Sequence, residues 1–222
     1  NEAVRILALK RTHLLDTPRE ERFDRFTRMA KLAFGVPIAL VSLVDNKRQW
    51  FKSSQGLEAR ETPRDMSFCG HAILIDRLFI VENTLEDPLF ADNPLVTGPP
   101  HIRFYAGAQL HSHEGYNLGT LCIIDTRPRS LDHDQCALLE ELARCVDEEI
   151  NDFEANKSRQ EQIEKTRILS ALNNLTVDAS APLERKIDMA LDLGRHHLEL
   201  ETGIVSEITS DVYTIRWFRA PD

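Results

Sequence analysis

One long stretch of the chain limits the folds that it can adopt. Residues 131–172 contain neither proline nor glycine, so nothing within them marks the end of a helix. A helix of ~40 residues is ~60 Å long at 1.5 Å per residue, which is more than a domain of ordinary size can bury. The sequence therefore predicts a long helix, at about 131–175, that extends beyond the domain in which it begins.

An apolar seam with spacings of three and four residues runs along this predicted helix. Its first part consists of Leu138, Leu142, Val146, Ile150 and Phe153. Such a seam is typical of a parallel coiled coil or a helical bundle between two copies of a chain. We therefore predict a homodimer that forms through these five residues. The alternative is that the helix first packs on its own domain and then continues into solvent.

Upstream of this helix, the residue patterns alternate between helix and strand. In chain order they predict helices at 2–15 and 18–34, strands at 36–44 and 49–53, a short helix at 67–75, a strand at 78–81 and an ordered loop at 87–98. Thr17 is a candidate N-cap of the second helix, and Gly35 ends that helix.

Residues 103–125 predict an antiparallel β-hairpin. Ala106, Gly107, Ala108 and Gly119 leave space on one face of its sheet, while Tyr105 and Cys122 bring polar or polarisable groups there. A sheet face of this composition suits a small-molecule cavity.

Composition excludes several classes of function. The net charge of −9 provides no basic stripe for a nucleic acid. No apolar run approaches the ~20 residues of a membrane helix, and the first residues lack a signal-peptide pattern. The four cysteines include no CxxC pair and no zinc-site spacing. We therefore expect a cytoplasmic protein with reduced thiols, no metal and no membrane contact by this fragment.

The last 45 residues repeat an earlier order of elements. After a predicted linker at 178–182, an amphipathic helix is followed by two alternating segments around the turn Ser210–Asp211. This order of helix, strand, turn and strand is also predicted at 23–51, which indicates the beginning of a second domain of the same kind.

Several motifs occur in an order that resembles a known family. The run PIALVSLVDNKRQWFKSSQGL is followed by TPRDMSFCGHAI, then DPLFADNPLVTGPPHIRFYAGAQL, then LGTLCIID with RPRSL. Together they resemble a bacterial GAF domain, a small-ligand sensor module found upstream of histidine kinases and diguanylate cyclases. The resemblance covers about residues 2–150. The run LERKIDMALDLGRHHLELETGIVSEITSDVYTIRWFRAPD resembles the start of another GAF domain.

The resemblance implies an α+β fold of the GAF (PAS-like) type. A central antiparallel sheet of about six strands would carry helices on one face, with loops and short helices over a ligand cavity on the other. The implied organisation is a GAF domain at 1–150, a signalling and dimerisation helix at 131–175 and the truncated start of a second GAF-like domain at 178–222.

The implied function is small-molecule sensing within a multidomain signal-transduction protein. The chain itself would not be an enzyme, and its long helix would relay ligand state to a histidine kinase or diguanylate cyclase output domain. The ligand remains unknown. The candidate ligand-binding residues are Phe68, Cys69, His71, Phe90, Asn93, Arg103, Tyr105 and Cys122. Arg103 could bind an anionic ligand group, or it could pair with Asp92 or Asp65.

Other functions remain open at this point. The chain could be a ligand-free dimerisation module whose cavity is filled by Phe68, Phe90 and Tyr105, or a thiol redox sensor that uses Cys69 and Cys122. Cyclic-nucleotide binding and reduction of free methionine sulfoxide are further possibilities in this family. A covalent bilin is disfavoured, because bilin-binding relatives place histidine directly after the attaching cysteine, whereas Gly70 separates Cys69 from His71 here.

Overall fold

A six-stranded antiparallel sheet organises the first part of the chain. The computed structural model describes residues 1–177, 182–198, 200–209 and 212–219. The strand order is β3-β2-β1-β6-β5-β4, and every neighbouring pair is antiparallel. The strands are β1 (Ile38–Val44), β2 (Arg48–Gln55), β3 (Glu61–Pro63), β4 (Phe79–Val81), β5 (Phe104–His111) and β6 (Asn117–Asp125). The predicted fold class is confirmed.

The helices are also close to expectation, apart from their ends. They are α1 (Glu2–Arg11), α2 (Glu21–Phe34), α3 (Phe68–Ala72), α4 (Pro94–Thr97), α5 (His133–Val177) and α6 (Leu183–Leu198). Gly35 ends α2 in a left-handed conformation, with φ of 59°. Among the helices that the structure describes, none combines the length and the apolar character needed to cross a membrane.

Both faces of the sheet are covered, so its central strands are buried along their whole length. All seven residues of β1 are buried, and so are seven of the eight in β5. One buried cluster joins the sheet to α1, α2 and α5 through residues such as Leu9, Phe23, Phe26, Val41, Phe104, Leu121 and Val146. The other joins it to α3, α4 and the loops through residues such as Leu40, Phe68, Phe90, Tyr105 and Cys122. Successive residues of a strand point to opposite faces, so each central strand supplies both clusters.

A bulge in β2 gives a basic residue a buried place beside α2. Val41 pairs with Ser53 and Ser42 pairs with Phe51, so Lys52 has no partner on β1. The Lys52 side chain is fully buried, and its ammonium donates to Thr17 Oγ1 at 2.6 Å and to the Pro18 carbonyl at 2.8 Å. It also forms an ion pair with Glu20. Thr17 therefore does not cap α2, which begins at Glu21. The contacts of Thr17 and Pro18 with the Lys52 ammonium hold these two residues outside the helix.

The first half of α5 packs within its own domain. Leu139, Val146 and Ile150 are 0% exposed and belong to the cluster that includes α1 and α2. Val146 and Ile150 are therefore unavailable to a second chain, which corrects the prediction that all five seam residues form a homodimer contact. Of the other seam residues, Leu138 is 42% exposed, while Leu142 and Phe153 are partly buried against the same cluster.

A second compact unit follows the first. The chain divides into two compact units, Asn1–Asn156 and Lys157–Asp222. The second unit contains α6 and the hairpin of β7 (Gly203–Thr209) and β8 (Val212–Arg219). Most of the predicted linker and the turn Ser210–Asp211 lie outside the described residues. The predicted domain limits (1–150, 131–175 and 178–222) stay predictions.

A histidine–carboxylate pair joins α5 to the end of β5. The backbone N–H of His111 donates to Asp147 Oδ1 at 2.8 Å, and its Nδ1 lies 3.0 Å from Asp147 Oδ2. The hydrogen bond to Asp147 raises the pKa of His111. Burial raises the pKa of Asp147, because its carboxyl group loses more hydration than His111 compensates.

Two adjacent leucines of α5 test its packing. Leu139→Ala should lower the free energy of unfolding by about 2–5 kcal/mol, because it leaves a cavity in the cluster. Leu138→Ala is the matched control and should change it by less than about 1 kcal/mol, because Leu138 is already 42% exposed. Urea unfolding would be followed by Trp50 fluorescence in a Trp217→Phe background. Equal losses from the two substitutions would contradict the packing described here.

The His111–Asp147 pair predicts a pH-dependent stability. Because the pKa of His111 is higher in the folded chain than its ordinary value of 6.5, the protonated histidine stabilises the fold at pH values below 6.5. This stabilisation is lost as the pH rises through the raised pKa. Asp147→Asn removes the ion pair. The difference in melting temperature between the parent and this variant should therefore shrink from about pH 6 to about pH 9. A difference in melting temperature that stays constant across this range would show that protonation of His111 does not contribute to stability.

Candidate functional site

The short helix α3 places two residues of the candidate site under the second face of the sheet. Ser67 precedes α3, and its Oγ accepts a hydrogen bond from the Gly70 N–H at 2.9 Å. This N-cap starts the helix and turns Phe68 and Cys69 inward, where each is 2% exposed. His71, two residues after Cys69, is half-buried.

Aromatic side chains fill the space in which a ligand cavity was expected. The rings of Phe68 and Phe90 stack with centroids 4.1 Å apart, and Phe68 and Tyr105 stack at 5.2 Å. Phe79 lies 5.9 Å from both Phe90 and Tyr105, and His71 meets the Phe90 ring edge-on at 5.1 Å. We call these five residues the aromatic stack. Four of them, all except Phe79, belong to the predicted site.

Two thiols lie next to this stack. Cys69 Sγ and Cys122 Sγ are 3.9 Å apart, and both side chains are buried. The Tyr105 hydroxyl donates to Cys69 Sγ at 3.4 Å and lies 3.3 Å from Thr120 Oγ1. The structure thus brings together Cys69, Tyr105 and Cys122, as the sequence predicted, and adds Thr120.

The surroundings of the two thiols affect their pKa values in opposite directions. Burial opposes ionisation of Cys69, but hydrogen bonds from Cys122, Thr120 and Tyr105 favour its thiolate and lower its pKa below the usual range. The hydrogen bond to Cys69, together with burial, raises the pKa of Cys122 well above its usual range. Burial likewise raises the pKa of Tyr105. Cys69 is therefore the more acidic thiol of the pair.

The remaining two predicted residues hold the segment that covers the stack. Asn93 Nδ2 donates to the Met66 carbonyl at 3.0 Å, and its Oδ1 caps α4 by accepting from the Leu95 N–H. Arg103 Nη1 donates to the carbonyls of Val96 and Ile102, each at 2.9 Å. These hydrogen bonds fix residues 87–98, which carry Phe90. Arg103 thus reaches this loop through backbone carbonyls, and its described hydrogen bonds include neither Asp92 nor Asp65.

Sequence reasoning missed a buried polar network beside the thiols. Ser67 Oγ donates to Gln49 Oε1 at 2.5 Å, Ser42 Oγ lies 3.4 Å from the same oxygen, and Gln49 Nε2 donates to Thr62 Oγ1 at 2.6 Å. Ser42, Gln49 and Ser67 are buried. The available signal was Ser42 itself, a polar residue within the apolar run of a predicted central strand.

An open depression lies on the surface beside α3. Its volume is about 690 Å³, and its lining includes Lys47, Arg64, Gly70 and His71. Gly70 and His71 directly follow Cys69 in the chain. Among the described residues, no group of three or more His, Cys, Asp or Glu side chains is arranged to hold a metal ion.

Comparison with known protein families assigns the chain to a family. Residues 18–147, which are more than half of the chain, match the model of the GAF domain. The chain belongs to the GAF domain family. GAF domains are sensory and regulatory modules of signalling proteins, and this is the class of function of the matched residues.

Individual relatives agree with this assignment. The chain is 49% identical over 134 residues to a cyclic di-GMP phosphodiesterase of Pseudomonas aeruginosa, and the match covers 60% of the chain but 23% of that relative. The match therefore spans about a quarter of the length of that protein.

Solved structures show the same fold at low identity. The GAF domain of an Acinetobacter phosphoenolpyruvate-protein phosphotransferase is 16% identical, with a TM-score of 0.51 over 66% of this chain and 92% of that one. A free methionine-R-sulfoxide reductase of Neisseria meningitidis is 18% identical, with a TM-score of 0.51 over 70% of this chain and 92% of that one.

Replacement of Phe90 tests the aromatic stack. Phe90→Ala should lower the free energy of unfolding by about 3–5 kcal/mol, because the ring is 1% exposed and fills the centre of the stack. The neighbouring Leu89 is 59% exposed, so Leu89→Ala is the matched control and should have little effect. Urea unfolding measures both. A Phe90→Ala loss as small as that of the control would show that the stack does not support the fold.

Proposed function

We propose that this chain is the sensory part of a multidomain bacterial signal-transduction protein. In this proposal, a small molecule binds on the α3 face of the sheet, at the eight candidate residues. The long helix α5 then carries the change to an output domain. The proposal rests on the assignment to the GAF family and on the way in which one sheet joins α3 to α5.

The observation that carries the proposal is the two-sided use of β5 and β6. Tyr105 and Cys122 lie in the α3 cluster, while their neighbours Phe104 and Leu121 lie in the cluster that contains α5. A shift of Tyr105 therefore displaces the backbone on which Phe104 is carried. Packed cores respond to such shifts by moving between discrete arrangements, which is how a local change reaches a distant element.

The segment at 87–98 offers a route by which a ligand could enter. Phe90 closes the stack, and its segment is held by hydrogen bonds of two side chains, Asn93 and Arg103, to backbone carbonyls. A ligand that replaces the Phe90 ring would have to release or rearrange these contacts. The ligand would then shift the population from the arrangement with Phe90 in the stack to the one without it, by as much as its affinities for the two arrangements differ.

The relative suggests the class of output. Because the chain is 49% identical to part of a cyclic di-GMP phosphodiesterase, we propose an output domain that acts on cyclic di-GMP, with a phosphodiesterase favoured over the cyclase or kinase expected earlier. Homodimerisation remains part of the proposal, now through the exposed Leu138 rather than through Val146 and Ile150.

The second unit supports the proposal of a second GAF-like domain. In the hairpin of β7 and β8, Val205 lies opposite Trp217 and Ser206 lies opposite Ile215, so the register shifts at this Val-Ser step. In the first hairpin the register also shifts at a Val-Ser step, between Val41 and Ser42. A helix precedes each hairpin. The shared bulge position favours a repeated fold over a chance hairpin.

A combined mass-spectrometric and exchange experiment tests the sensor proposal. Native and denaturing spectra of the purified chain are compared to detect a retained small molecule, and a metabolite panel is screened by thermal shift. With a ligand present, amide exchange should change both at 87–98 and at 139–150 of α5. A change restricted to 87–98 would contradict the relay. Val146→Ala should weaken the response in α5, and Leu138→Ala should leave it intact.

The filled stack specifically favours a second function, a ligand-free dimerisation module. In that case native spectra show no retained molecule, the panel gives no thermal shift, and Phe90→Ala leaves dimerisation unchanged once the variant is shown to be folded. Sedimentation analysis of the parent and of a Leu138→Asp variant tests the dimer that both functions include. A parent that sediments as a monomer would exclude the dimerisation module, because a module of this kind requires a dimer.

A further inference from the structure

The thiols of Cys69 and Cys122 form a chemical site within the α3 cluster that does not depend on a bound small molecule. They come from different elements, α3 and β6, and are 53 positions apart in the chain, yet their sulfur atoms are 3.9 Å apart. Both are free thiols. The other two cysteines, Cys136 and Cys145, lie on α5 and are less buried.

We propose that Cys69 and Cys122 are a peroxide-responsive dithiol that closes into a reversible disulfide within the chain. The proposal goes beyond the sensor function above, because it requires no bound ligand and holds for the isolated chain. The two sulfur atoms must approach from 3.9 Å to the ~2.05 Å of a disulfide bond.

The chemistry balances with a hydroperoxide as the oxidant. The Cys69 thiolate attacks one peroxide oxygen, the O–O bond breaks, and Cys69 becomes a sulfenic acid. The other oxygen leaves as hydroxide or alkoxide and takes up the proton that the Cys69 thiol had released, which forms water or an alcohol. The Cys122 sulfur then attacks the Cys69 sulfur, the S–O bond breaks, and the hydroxyl leaves as water with the Cys122 proton. Two thiols lose two electrons in total. A small thiol reductant reverses the change by thiol–disulfide exchange.

The site provides what each step requires. The hydroxyl of Tyr105 donates to Cys69 Sγ, which supports a thiolate inside an otherwise apolar cluster. Gly70 and His71, which follow Cys69, line the open depression beside α3. Because Cys69 itself is 2% exposed, an oxidant of a few atoms reaches the thiol from this side only when α3 opens locally.

Closure of the disulfide would move α3 rather than β6. Cys122 is in a central strand with hydrogen-bonded neighbours on both sides, at Leu40 of β1 and Gly107 of β5. Cys69 is in a helix of five residues. The displacement would carry Phe68, which stacks on Phe90 and Tyr105. Oxidation therefore changes the same aromatic stack at which the proposed ligand would act.

Peptide mapping of the oxidised chain tests the proposal. The purified chain is treated with hydrogen peroxide, remaining thiols are alkylated, and the protein is digested without reductant. We expect one crosslinked peptide that joins Cys69 to Cys122, that disappears on treatment with dithiothreitol, and that forms at the same rate in a Cys136→Ser/Cys145→Ser control. In Cys122→Ala the sulfenic acid of Cys69 should persist and react with dimedone.

Two results would overturn the proposal. One is that, after complete peroxide treatment of the parent chain, Cys69 and Cys122 are both still alkylated, which shows that they remained free thiols. The other is crosslinking of Cys69 to Cys136 or Cys145 in place of Cys122. Mapping of the parent requires no substitution, so a variant that fails to fold does not affect these outcomes. If the crosslink forms but exchange at 139–150 is unchanged, the dithiol stands and the relay of the proposed function fails.

Discussion

Burial of both faces of one antiparallel sheet is the constraint on which the rest of the structure depends. An antiparallel sheet commonly leaves one face to solvent, and its strands then alternate between apolar and polar residues. Here β1, β5 and β6 are buried almost throughout, so helices α1, α2 and α5 cover one face and α3, α4 and their loops cover the other. Removal of either cover would expose half of the residues of each central strand to water.

Much of this arrangement could be read from the sequence, because it depends on local patterns. A continuous apolar run predicts β1, small residues around a turn predict the β5–β6 hairpin, and Gly35 marks the end of α2. The partner of α5 could not be predicted. A seam at spacings of three and four fits a second helix as well as the sheet of its own domain, and the choice depends on side chains more than 80 residues away in the chain, such as Phe23 and Phe26.

For the candidate site, the sequence indicated which residues lie together better than it indicated what each of them does. Phe68, Cys69, Phe90, Tyr105 and Cys122 do lie together. These side chains fill the expected ligand cavity instead of lining it. The difference between the two depends on ring positions that differ by a few ångströms, and residue types alone do not determine these positions. Asn93 was expected to face a ligand, and Arg103 either to face one or to pair with Asp92 or Asp65. Both side chains instead donate to backbone carbonyls, and this depends on the path of residues 87–98, which residue type does not reveal.

The buried ammonium of Lys52 has a consequence for how this sequence can vary. A sequestered cation needs a negative partner, and Glu20 provides it, while Thr17 and Pro18 supply the other acceptors. Loss of the carboxylate alone would leave the buried ammonium without its ion-pair partner, whereas loss of the lysine alone would leave Glu20 paired with Arg22, whose Nη2 lies 2.6 Å from Glu20 Oε2. The two positions therefore differ in the order in which they can change. An uncharged pair can be reached by replacing the lysine first, whereas replacing the glutamate first leaves the buried ammonium without its carboxylate partner.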